Sequence, residues 1–415
     1  MITCFPRVAC ADQPTTYTLS GLEVSEGTVV ELSWYPIRHR TALPYQPYPK
    51  QSVLVQHAQA TFTQTLTGQQ EVKLTVVAQG QPLVEFRLYV VTADLWALNP
   101  YKGDMHMHST GSDGVEAPAV VAAKGRRIGL DFMALTDHGN YAPSIEAQDA
   151  FRGLALDLAL ERGEEVHGPG NGVHIIHYGG SESVNTWLHT HPKEIDLAIA
   201  QSPNHPDERV HREIALSHLT FDRIRAVGGV AIFCHPYWQI DEGYHIAEAV
   251  TDALLRDHRF DAYEVIGGYW PHEVESNAIQ VARYHHELAQ GNHFPVVGVS
   301  DAHGCDRGLF GWYYTVLFAR SPRVNDVANA IRTDRSVAVE ARPGHDPRPV
   351  GDFELVMFTL YLLREYFPAH DALCAMEGEL MLRHLDGDAT AADELAKLKG
   401  QVAAYQALFY GRSSS

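Results

Sequence analysis

The chain has 415 residues, with 32 lysines and arginines against 51 aspartates and glutamates, giving a formal charge of −19 with histidine neutral. That balance opposes a nucleic-acid polymer or an anionic membrane as partner, and no apolar run approaches membrane-spanning length. The five cysteines, at 4, 10, 234, 305 and 374, are odd in number and unevenly spaced, unlike a disulfide framework, and the start lacks the basic and apolar regions of a signal peptide. The expectation is a cytoplasmic protein of two or three structural units with reduced thiols. Histidine, at 24 residues, is well above its ordinary share, and several of these histidines fall beside carboxylates in short, well-separated segments.

Residues 1–98 alternate apolar and polar positions in Thr28–Trp34, Glu71–Val77 and Val84–Val90, separated by glycine- and glutamine-rich turns. Period-two alternation predicts a small antiparallel β domain of sandwich type. From 99 to 345 the texture changes to apolar runs, among them Phe132–Leu135, Val230–Phe233, Tyr263–Ile266 and Phe294–Val299, alternating with helical stretches. Such βα alternation predicts an α/β domain built on a parallel sheet or barrel. Residues 346–415 read as a helical extension, with helices over 355–367, 372–385 and 391–410 parted by Pro368 and the Asp386-Gly387-Asp388 turn. That tail offers a cover for the barrel or a face for a homo-oligomer.

Chemistry concentrates at the ends of the apolar runs. In Asp104-Met-His106-Met-His108 the two histidines are two apart, so on a strand both imidazoles leave the same face, and Asp113 follows on a glycine-containing loop. Asp137 and His138 end the next run, at the strand end where parallel-sheet enzymes carry their sites. Glu164 and Glu165, with His174 and His177 soon after, offer further donors. His235 closes a third run before Pro236, and Asp301 and His303 sit two apart after a fourth. Cys234 precedes a donor on its strand and is expected to face away as a buried thiol. The donors outnumber the four of a zinc site or the six of an octahedral one, which favours a bridged cluster.

His106-Met-His108 with Ser112-Asp113-Gly114, Thr136-Asp137-His138, Cys234-His235-Pro236 and Ser300-Asp301-Ala302-His303 resemble, in order and spacing, the four motifs of the PHP (polymerase and histidinol phosphatase) family. The likeness covers residues 101 to 345, and the β domain leading into Asn99–Asp104 resembles the carbaryl-hydrolase-like subgroup. The resemblance implies a distorted TIM-like barrel of seven βα units holding two or three divalent ions, zinc, manganese or iron, at the strand ends. The ligands it implies are His106, His108, Asp113, His138, Glu165, His174, His235, Asp301 and His303. Glu165 satisfies the family's Gly-x-Glu pattern, with Glu164 as its rival.

The reaction the resemblance implies is hydrolysis by a metal-bound hydroxide. Asp301 or His303 is the candidate to move the leaving group's proton, and Arg307 the cation to meet a phosphate. The substrate expected is a small phosphorylated or nucleotide-like molecule, with a carbamate or carboxylic aryl ester as the alternative and a metal-stabilised binding scaffold as the non-enzymatic one. Tyr237-Trp238, Tyr269-Trp270 and Trp312–Tyr314 are candidate aromatic walls for a flat substrate group.

Overall fold

The computed structural model describes residues 1–39, 48–240, 242–268 and 274–412, and the chain divides into two units. The first comprises Met1–Asn99, Tyr361–His370 and Gly400–Ser415; the second comprises Pro100–Leu360 and Asp371–Lys399.

In the first unit, alternation becomes two packed sheets. Gln59–Thr65 buries every second residue and so does Gln70–Ala78, which places Ala60, Phe62, Val72, Leu74 and Val76 on inner faces. Thr3–Phe5, Pro14–Ser20 and Gln59–Thr65 form one sheet. Val8–Cys10, Gln81–Val91, Gln70–Ala78, Val29–Pro36 and Gln51–Leu54 form the other. All pairs are antiparallel except Val8–Cys10, which runs parallel to Gln81–Val91. Side chains from both sheets share one core, in which Tyr17, Trp34 and Phe62 meet with ring centroids 5.5 to 5.9 Å apart.

The second unit carries a sheet of mixed direction containing Ala159–Glu161, Phe132–Ala134, Asn99–Asp104, Tyr313–Ala319, Ser336–Glu340 and Arg348–Val350. A second sheet orders Gly163–Val166, Ile175–Gly179, Gly229–Phe233, Ala262–Ile266 and Val296–Gly298. Two isolated parallel bridges, Met107 to Ala302 and His138 to Glu165, join chain segments that continue from the two sheets. The apolar runs are buried along their whole length, as strands covered on both faces must be. The expectation of parallel order is corrected at Ile175–Gly179, which runs antiparallel to both neighbours. Only eight residues separate it from Gly163–Val166, too short a link for the helical crossover that a parallel pair requires.

The helical tail also departs from expectation, because it does not stay together. Phe353–Glu365, Phe367–Leu385, Ala391–Leu398 and Gln401–Tyr410 are its helices. Pro368 does not separate two of them; it sits in the first turn of the second, where a missing N–H costs nothing. Gly400, at φ +83°, divides the last expected helix in two. Within the first unit, the Tyr361 hydroxyl donates to the Arg7 and Arg87 carbonyls, and Arg364 pairs with Glu71 at 2.9 Å. Within the second, Glu377 accepts from fully buried Arg126 at 2.9 Å and from the Asp157 N–H at 2.7 Å, while Asp131 holds the other side of the guanidinium at 3.1 Å.

Removing one partner from a buried ion pair strands the other charge. Glu377→Ala is therefore expected to destabilise the protein by about 3 to 5 kcal/mol, read as a lowered urea midpoint. A shift under about 1 kcal/mol would show that Arg126 does not depend on this contact.

Candidate metal centre

The site begins where the strand Asn99–Asp104 runs out. Met105 and Met107 turn into apolar core, so the intervening His106 and His108 project together to the opposite side. The Asp104 carboxylate accepts from the N–H of His106 at 3.1 Å and of Ser300 at 3.2 Å, and burial raises its pKa to about 7. Asp301 N–H donates to the His106 carbonyl and His108 N–H to the Ala302 carbonyl, both at 2.9 Å. The first and last motifs are thus laced through their backbones.

The loop after His108 is held by Asp137. This fully buried carboxylate accepts from the Ser109 N–H at 2.9 Å and from the Ser109 and Ser112 hydroxyls at 2.8 Å. Asp113 is thereby delivered to 3.2 Å from His303, 3.4 Å from His138 and 3.7 Å from His108. His235 and Asp301 adopt positive φ, at 22° and 52°, strained for non-glycine residues and at home in functional sites.

Glu165 lies at the centre, fully buried, and its two oxygens serve different histidines. Oε1 stands 2.8 Å from His174, 3.5 Å from His235 and 3.7 Å from His106. Oε2 stands 2.5 Å from His138, 3.6 Å from His167 and 3.7 Å from His108. Asp301 Oδ1 adds contacts of 2.9 Å to His108 and 3.1 Å to His106. Glu164 points the other way: it accepts from the N–H groups of Val184 and Asn185 and the Ser183 hydroxyl at the start of the helix Val184–Thr190, and approaches His177 at 3.3 Å.

Burial opposes charge throughout, so partners decide which groups keep it. His106 is desolvated, yet Asp301 and Glu165 hold its pKa well above the ordinary value, and His235 rises to about 9 against the same burial through Glu264 and Glu165. His138 also rises, with Glu165 overcoming its burial. Burial wins at His108, which is lowered, and at His174, which falls to about 4. Glu165 and Asp301 stay well below the carboxylate range, because facing histidines outweigh the desolvation.

All nine donors expected from the sequence converge here. Arg307 does not join them: it is exposed on the turn after His303, and among the described residues no hydrogen bond or ion pair links it to the cluster. Asp306 beside it pairs with Lys124 at 2.8 Å. Of the aromatic stretches, Trp238 packs against His174 and His235, whereas Tyr313 and Tyr314 are core residues and Tyr269-Trp270 lies outside the described residues. Cys234 does not face away as expected. Its buried thiol interacts with His106 and groups with His106, His235 and Glu264, and burial raises its pKa.

Three cluster residues escaped the sequence reading. Glu264 Oε2 lies 3.2 Å from His106 Nδ1 with both side chains fully buried, and its signal was a carboxylate inside the apolar run Tyr263–Ile266. His167 shares strand parity with Glu165 and stands 2.9 Å from His138. His245 belongs to no apolar run and gave no signal.

The donor set fits divalent ions. His106 Nε2, both Glu165 oxygens, His174 Nδ1 and His235 Nδ1 are buried without a hydrogen bond of acceptable geometry, although they crowd one another. Such unsatisfied groups are costly, and cations among them would satisfy them together. Among the described residues, at least five overlapping groups of three or four donors lie within 4.8 Å of one another.

No family model matches the chain. A 5′-3′ exoribonuclease from Haemophilus influenzae is 31% identical over 100 residues, 24% of this chain; the matched stretch spans about a third (34%) of that relative's length. Among solved structures, a two-domain Bacteroides vulgatus protein containing a "predicted PHP-like metal-dependent phosphoesterase" is 19% identical, over 58% of this chain and 65% of that one, at TM-score 0.41. An amidohydrolase from Chromobacterium violaceum is 18% identical, over 49% of this chain and 88% of that one, at TM-score 0.32. No helix among the described residues is long and apolar enough to cross a membrane.

The opposite orientations of the two glutamates separate their functions. Glu165→Gln should weaken divalent-ion binding by at least about 10- to 100-fold, as removing even an outer-shell partner does. Glu164→Gln should leave ion binding intact and cost roughly 1 to 3 kcal/mol of stability. Chelator competition beside urea unfolding checks both, and the reverse pattern would exchange their assignments.

Proposed function

We propose that the protein is a metal-dependent hydrolase of the PHP type, acting on a phosphate ester of a small molecule. The observation that carries this reading is the division of the Glu165 carboxylate between two sets of three histidines, the arrangement a bridging ligand needs. His106, His108 and Asp301 form one group of donors that would hold an ion, His174 and His235 would hold another beside Glu165 Oε1, and Asp113, His138 and His303 lie with His108 in a third group. On this reading the larger unit is that family's distorted seven-unit barrel, with the bridges Met107–Ala302 and His138–Glu165 joining its two sheets.

Ions held there would supply Lewis acidity, polarising the ester and lowering the pKa of water. The chain's own residues set the stage for that. Glu264 holds the Nδ1 side of His106 and so aims Nε2 at Asp301 and Glu165. His303 Nδ1 donates to the Asp301 carbonyl at 2.8 Å, which leaves Nε2 turned toward Asp113. The Asp113, His138 and His167 side chains are 46%, 28% and 35% exposed, against none for His106, His108 and Glu165, so substrate enters from their side. Of the two residues expected to move the leaving group's proton, Asp301 is enclosed between His106 and His108, so His303 would take that part only where its Nε2 holds no ion. Arg307, on the exposed turn beyond, is assigned to the phosphate.

The partial likeness to an exoribonuclease supports phosphate-ester chemistry over carbamate chemistry. The test is a panel of phosphomonoesters, a dinucleotide, an aryl carboxylate and an aryl carbamate, run on metal-loaded, chelated and reloaded protein. Phosphate or nucleotide release that chelation abolishes and divalent ions restore is expected. Phenol release alone would replace the phosphate reading with the carbamate or carboxylic one, and inactivity on every ester with ions bound would leave a scaffold.

A further inference from the structure

The strand end at His235 is followed by a two-stranded hairpin, Gln239–Ile240 against Gly243–Tyr244, that brings the chain back to the cluster at His245. Its base is tied by the backbone: Trp238 N–H donates to the His235 carbonyl at 3.1 Å, and His245 N–H to the Trp238 carbonyl at 2.8 Å. These two bonds fix His245 relative to a residue already in the cluster. Its ring stands edge-on to His174, with centroids 4.4 Å apart, and 6.3 Å from that of His235. Trp238 packs against all three imidazoles, at 6.2, 5.7 and 5.1 Å.

One nitrogen from each of His174, His235 and His245 lies within 4.8 Å of the other two. The Nδ1 atoms of all three are buried without a hydrogen bond. Ring stacking alone would leave these nitrogens desolvated and unsatisfied, at a cost a shared cation removes. Glu165 Oε1 lies 2.8 Å from His174 Nδ1 and 3.5 Å from His235 Nε2.

We propose that His245 is a further metal ligand, forming with His174 and His235 a three-imidazole site for one divalent ion of the zinc class. The proposal rests on the reading of the cluster as a metal centre and deepens it. Three imidazoles suit zinc, copper or nickel and disfavour magnesium or calcium. Three protein donors leave a fourth position of a tetrahedral ion open, as catalytic sites do, whereas structural sites close all four. An ion beside His245 would tie the hairpin to the cluster and contribute charge there.

The experiment uses the full chain and zinc alone. Protein stripped with chelator is titrated with zinc in competition with a chromophoric chelator, for wild type, His245→Ala and the bulkier His245→Gln. One zinc equivalent is expected to weaken by about 10- to 100-fold in both variants, with the others unchanged. Variants that bind the same number of zinc ions with the same affinities overturn the proposal and leave the hydrolase reading standing. Wild type that binds no divalent ion sinks both. Should the variants fail to fold, histidine modification by diethyl pyrocarbonate on wild type decides: zinc is expected to protect His245, and equal modification with and without zinc overturns the assignment.

Discussion

Everything in the larger unit's site depends on one buried carboxylate facing six imidazoles. Glu165 is fully buried, and an ionised carboxylate in such surroundings survives only if partners outweigh its lost hydration. Its partners come from widely separated segments: His106 and His108, His138, His167 and His174, and His235. No local stretch could supply them, so the sheets must first bring the strand ends together. The site is a consequence of the tertiary fold, and its energetic demand falls back on that fold.

The strands meet that demand through polar side chains used as fasteners. Asp104 binds the backbone of both His106 and Ser300, and Asp137 gathers the loop that carries Asp113. Both are buried, and both carry no part of the proposed chemistry. Glu164 does the same for Glu165: its hydrogen bonds to the first turn of the helix Val184–Thr190 pin the register of a four-residue strand. In a strand a slip of one residue exchanges the two faces, so this anchor decides which glutamate meets the histidines.

The legible part of the site was the part written into strand ends. Apolar runs terminated by His or Asp at spacing two fix side-chain direction without knowledge of the partner strand, and for that reason His106, His108, Asp301 and His303 could be read together. Choosing Glu165 over Glu164 needed a family pattern, because alternation makes the two equally available to opposite faces. Cys234 shows the limit of the same rule: the strand Gly229–Phe233 has already ended, and the positive φ at His235 turns the backbone so that neighbours meet one cluster. His245 was invisible because a hairpin, not a strand end, carries it. The division of the tail was invisible too, since helix periodicity shows that a face is buried but not what buries it.

The buried charges of the cluster follow a logic of their own. Glu165, Glu264 and Asp301 are buried together, and the pKa values of His106, His138 and His235 are raised while those of His108 and His174 are lowered. Protons on some imidazoles thus offset the carboxylates when no cation does. A divalent ion offered to these donors competes with those protons and displaces them, since only a neutral imidazole can ligate. The same desolvation that makes bare carboxylates costly makes each displaced proton favourable to replace with a doubly charged ion. Burial of the carboxylates, distributed over strand ends by the fold, would favour a cation among these donors.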